Sequence, residues 1–137
     1  MRSFMSMVLM VYLWAVNVPS PVFAQESFSG RSETCGQIVA QTKQELQYVQ
    51  QFCRVVPEGA AVGAYTIESV LWVKVTRNMA EAMRADRLGA EQLVKSWMAR
   101  WKSLTGSKVA TIQVEWRDVL IAEGRTTVFS GDRVTIP

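Results

Sequence analysis

TIESVLWVKVTRNMAEAM (Thr66–Met83) decides the fold, because it carries two periodicities at once. Read with helical spacing, Ile67, Val70, Leu71, Val75, Met79, Ala82 and Met83 line one side, with Lys74 and Asn78 as misfits. The β-branched residues up to Thr76 would also suit a strand. The stripe runs on without a break into Met79–Met83, a strong helix-forming run, so the spacing predicts a helix from Thr66.

Two further helices are expected around this one. On the N-terminal side, Thr34-Cys35-Gly36-Gln37 has the form of a capping box. Behind it Ile38/Val39, Leu46, Val49 and Phe52/Cys53 return on one side among glutamines and Lys43, predicting an amphipathic helix. Arg54 to Ala64, punctuated by Pro57, Gly59 and Gly63, reads as a connection. Its Gly-Ala-Ala-Val-Gly resembles a membrane-helix packing motif, but the apolar surroundings that motif needs are missing. On the C-terminal side, Leu88-Gly89 offers a helix stop, followed by a helix over 90–104 with the stripe Leu93, Trp97, Trp101 and Leu104. Thr105-Gly106-Ser107 ends it.

The period then changes to two. Ala110, Ile112, Val114 and Trp116 alternate with Thr111, Gln113 and Glu115, as in a half-buried strand. Turns expected at Glu123-Gly124 and Ser130-Gly131-Asp132 make the remainder an antiparallel meander. The expected fold is α+β, with about three N-terminal helices packed on a small C-terminal antiparallel meander.

Ahead of this domain, Met1-Arg2, the apolar run Phe4–Val18 and Val22-Phe23-Ala24 have the layout of a secretory signal cleaved after Ala24. The run is shorter than the ~20 residues of a membrane span, and neither cysteine sits where a lipoprotein signal would need it. The reading is therefore a leader over 1–24, a serine- and glycine-rich flexible lead-in over 25–33, and a single domain over 34–137. The location is expected to be periplasmic or extracellular. Of the fifteen Lys and Arg only Arg2 leaves with the leader, so fourteen face twelve acidic residues. That balance, with the secretory address, argues against a nucleic-acid partner, and membrane contact is expected only through a leader that stays uncleaved.

Outside the cytoplasm two cysteines favour a disulfide. In one unbroken helix Cys35 and Cys53 would be about 27 Å apart along the axis, far beyond the ~7 Å between Cα atoms that a bridge allows. The same spacing, a whole number of turns, puts both thiols on one face, so an antiparallel homodimer could bridge them between chains. The other readings are a broken helix with an internal bridge, and two buried free thiols.

The chain has no histidine, which removes Ser-His-Asp and Cys-His catalysis and leaves too few ligands for a zinc cage. Phosphate-binding and calcium-binding loops are absent, so no cofactor or metal is implied. Glu68, Glu81, Asp86, Glu91, Glu115, Asp118 and Glu123 offer carboxylates for glycoside chemistry, but no pair is singled out. The most specific signal is Trp97 and Trp101, four residues apart on one helical stripe. They suit core packing, or a binding surface flanked by Arg100 and Lys102. Taken together the sequence points to an exported, non-catalytic accessory or assembly protein that works through a protein partner or self-association. The alternative is a periplasmic module binding sugar, lipid or peptide on the tryptophan-bearing helix.

Overall fold

The structure, a computed structural model, describes residues 27–137. The leader and its cleavage point after Ala24 lie outside the described residues. Seven strands form one sheet whose spatial order equals their order in the chain. They are β1 (Phe28–Ser32), β2 (Gly36–Ala40), β3 (Ala61–Ile67), β4 (Val70–Val75), β5 (Thr111–Trp116), β6 (Val119–Thr127) and β7 (Gly131–Thr135). Helix α1 (Lys43–Phe52) crosses from β2 to the parallel β3, and α2 (Arg77–Ala85) with α3 (Arg87–Thr105) crosses from β4 to the parallel β5. Every other neighbouring pair is antiparallel. Parallel neighbours need a crossover and antiparallel ones only a turn, so hairpin, helix, hairpin, helices and meander follow one another along the chain.

This corrects the expectation of three N-terminal helices on a small meander. The C-terminal meander exists, but it is one part of a seven-stranded sheet. Thr66–Met83 is the tail of β3, a turn, β4 and α2. Within Val70–Val75 the buried residues are Leu71, Val73 and Val75, which is a period of two, and the partners on β3 and β5 select it over the helical reading. Glu68 and Ser69 turn the chain at φ 49° and 69°, as do Arg117 and Asp118 at 50° and 65° between β5 and β6. Two successive left-handed residues are the hairpin turn whose twist matches the strands. Here that turn is built without glycine or asparagine, which removes its usual mark in the sequence.

The first helix is shorter than expected. Thr34 and Cys35 lie in the β1–β2 turn, and the expected lead-in supplies β1. The working cap is Thr42, whose hydroxyl accepts the Glu45 N–H at 3.0 Å. Because the chain reverses between the cysteines, Cys35 and Cys53 meet with their Cα atoms 5.6 Å apart and are joined as a disulfide within the chain. The Thr34 hydroxyl donates to the Cys53 carbonyl beside it. No thiol is left for the antiparallel bridged homodimer.

All three helices cover one face of the sheet. Phe52 of α1 meets Trp97 and Trp101 of α3 edge to face, at centroid distances of 5.9 and 6.0 Å. Beneath them lie Ile38, Leu71, Val73, Ile112 and Val114, all fully buried. Gly89 is not a stop: it lies in the first turn of α3, donating its N–H to Asp86 at 2.9 Å, and Asp86 is where α2 ends and α3 begins. Gly124 is not a turn either. It lies within β6, where a Cβ would come 2.6 Å from Met98 Sδ and 2.8 Å from Val94 Cγ1, so its missing side chain lets α3 lie close on the sheet.

Candidate functional site

Strand alternation sends every second side chain to the face that none of the described helices covers. In register across it run Val39, Tyr65, Trp72, Gln113 and Glu123. The next row is Gln37, Gly63, Lys74, Glu115 and Leu120. Tyr65 and Trp72, directly opposite on β3 and β4, stack with their ring planes 1° apart and centroids separated by 5.8 Å. Cross-strand aromatic pairs of this kind hold each other in place. Lys74 Nζ stands 5.4 Å from the centre of the Tyr65 ring.

The stack is anchored by a buried acid. Tyr65 Oη donates to Glu115 Oε1 at 2.9 Å, and Glu115 is only 7% exposed although its face is uncovered. Burial first, then the hydrogen bond to Glu115, then repulsion from the Glu115 and Asp118 charges push the Tyr65 phenol up to about 12. Tyr65 therefore remains a neutral donor throughout the physiological range, with its ring fixed by Trp72 and its hydroxyl by Glu115. Further along the row of the stack, Gln113 Nε2 donates to Glu123 Oε2 at 2.9 Å, and Arg125 approaches the same carboxylate at 3.7 Å. A shallow groove of about 540 Å³ runs beside the stack, lined by Gln37, Val39, Gly63, Tyr65 and Lys74. Gly63 leaves its floor open, since a Cβ there would meet the Gln37 carbonyl at 3.2 Å and Lys74 Cδ at 3.6 Å.

The residues expected to form a binding surface are not brought together on one. Trp97 is 1% exposed and Trp101 5% exposed, both packed against Phe52 in the core, so neither ring offers a platform. Arg100 Nε is buried without a hydrogen-bond partner. Lys102 Nζ is bound to Asp132 Oδ2 at 2.7 Å. Partial burial opposes ionisation of Asp132, but hydrogen bonds from Lys102 and Thr126 and the charges of Lys102 and Lys95 outweigh it and hold the carboxyl below its ordinary value. Lys102 therefore ties α3 to β7.

The candidate carboxylates are dispersed. Glu81 pairs with Arg77 and Glu91 with Lys95 along their helices. Asp86 caps α3, and Glu68 and Asp118 sit in hairpin turns. Glu115 and Glu123 share the open face, each engaged with a different neighbour. Among the described residues no three His, Cys, Asp or Glu side chains come together as a metal site would require, and no helix is long and apolar enough to cross a membrane. Helical spacing singles out Trp97 and Trp101 and passes over Tyr65 and Trp72. The mark of the open-face pair in the sequence is the alternation of Trp72 and Lys74 with Leu71, Val73 and Val75. Comparison of the chain with protein-family models, with curated proteins and with solved structures finds no match.

Proposed function

We propose that the protein is an exported, non-catalytic accessory module that works by docking a partner protein on its uncovered sheet face. The observation that carries this reading is the Tyr65–Trp72 stack, fixed through Glu115 and facing solvent. Tyrosine and tryptophan held rigidly on a surface lose little freedom when a partner covers them, and such residues dominate interface energetics. The leader over 1–24 and the Cys35–Cys53 disulfide support an oxidising location outside the cytoplasm. The test is mild crosslinking and co-purification from the native envelope fraction, comparing the protein with Trp72→Ala. The expected result is one stoichiometric protein that the variant loses while its near-ultraviolet circular dichroism shows a retained core. Equal recovery by both chains sinks the reading.

A second reading rests on the groove beside Tyr65, whose volume of about 540 Å³ suits a small ligand. Mass spectrometry of the purified protein separates the two: a co-purifying small molecule that Gly63→Val expels, with no protein partner, favours the groove.

A further inference from the structure

The turn between β6 and β7 places two large apolar side chains in water. Val128 is 93% exposed and Phe129 98% exposed, adjacent at the tip. The loop behind them is organised: Ser130 N–H donates to the Thr127 hydroxyl at 3.1 Å, and that hydroxyl donates to the Gly131 carbonyl at 3.1 Å. Ala110 is bonded to Thr126 through both its carbonyl and its N–H, so Lys108 and the exposed Val109 enter the sheet alongside the same turn.

Charge at this end is the second, independent observation. Arg125 and Arg133 are direct cross-strand partners, and like charges in that position are unfavourable by themselves. Arg125 has a carboxylate only at 3.7 Å, and Arg133 makes no ion pair among the described residues. Asp132, the one acid between Arg125 and Pro137, is already neutralised by Lys102. Glu45 and Glu68 line the cavity that Val109 also lines, on the side away from β7. An apolar tip with a basic pair behind it matches an anionic bilayer surface. β6 ends at Thr127, so two steps of strand, ~7 Å at ~3.3 Å each, lie between Arg125 and the turn that carries Val128 and Phe129. That span matches a headgroup layer of about 5–8 Å, with the arginine side chains free to reach along it.

We infer that the β6–β7 tip docks the protein on an anionic lipid surface, Val128 and Phe129 entering the headgroup boundary while Arg125, Arg133 and Lys108 meet the phosphates. Strand alternation from Glu123 puts Arg125 and its partner Arg133 on the open sheet face, so the basic pair adjoins the surface proposed for a protein partner, while Val128 and Phe129 lie beyond it in the turn. Two apolar side chains with a few basic ones give reversible, peripheral attachment. The test uses protein recovered from expression of the full chain, with the readout at the tip so that any affinity of the leader for lipid does not count. Phe129→Trp is titrated with phosphatidylcholine vesicles, with and without phosphatidylglycerol, and its emission is compared with that of the unsubstituted protein. The expected result is a blue shift confined to the anionic vesicles and reversed by salt. In co-sedimentation, partitioning falls about tenfold for V128S/F129S and about fivefold for Arg133→Gln. Emission unmoved by anionic vesicles overturns the inference, and this is also the outcome if the tip fits only a protein. An equal shift on neutral vesicles, or sedimentation unaffected by V128S/F129S, overturns it as well.

Discussion

The two faces of the sheet use the same residue types for opposite ends. On the covered face Trp97 and Trp101 are consumed by packing against Phe52. On the open face Tyr65 and Trp72 stack on each other, with Glu115 and Lys74 beside Tyr65, and leave ring surface in water. Each face also carries a glycine within a strand, Gly124 where a helix presses close and Gly63 on the floor of a groove. An aromatic or a glycine thus acquires its role from the layer above it, and residue type alone does not say which layer that is.

Five substitutions put that contrast at risk. The largest expected effect is at Phe52→Ala, which removes a fully buried ring from between Trp97 and Trp101. Urea unfolding should show a loss of about 3–5 kcal/mol, against no more than about 1.5 kcal/mol for Trp72→Ala. Equal losses would mean that the open face is core as well.

The two glycines come next. Gly124→Ala forces Met98 and Val94 to move and should cost about 1–3 kcal/mol, whereas Gly63→Ala meets only the Gln37 carbonyl and a lysine stem and should stay within about 1 kcal/mol. Thermal melts of both in one buffer sharpen the comparison. If Gly63→Ala proves the worse of the two, the groove floor is tighter than the helix seam.

The smallest effect is at Tyr65→Phe, and it depends on pH. Its phenol is raised in the folded state to about 12, so its contribution is complete below the ordinary value of about 10 and is lost as pH climbs from there through about 12. At neutral pH the variant should be less stable by about 1 kcal/mol, having left Glu115 without its donor. The gap should close across the alkaline window. A gap that stays constant to high pH would show that Tyr65 and Glu115 are not coupled.

What the sequence made legible follows from where a single signal was enough. The helix over 90–104 lies within α3, Arg87–Thr105, and Gly106 at φ 74° caps it where Thr105-Gly106-Ser107 predicts. The alternation from Ala110 to Trp116 marks β5, whose Ile112 and Val114 are buried. Half of the sheet was illegible because its punctuation is unusual. Glu68-Ser69 makes a hairpin turn without glycine, so β3 and β4 merged into one apolar run that also fits a helix. Gly63 and Gly124 resemble loop residues when neighbours are unseen, yet both lie within strands. The open-face site inherits this: Tyr65, Trp72 and Glu115 come from three strands, and only the register joins them.

Strand order that equals chain order bears on how the molecule assembles. No strand has to be inserted between two already in place, so a chain emerging N-terminus first can add each strand to the edge just completed. The loops to be closed are limited to one hairpin or one crossover at a time, which keeps their entropic cost low. The Cys35–Cys53 link joins β2's hairpin to the end of α1 before β3 begins, so it requires nothing beyond residue 53. Growth from one edge also leaves β7 as the last strand to arrive, and the exposed Val128 and Phe129 come into being with the final turn.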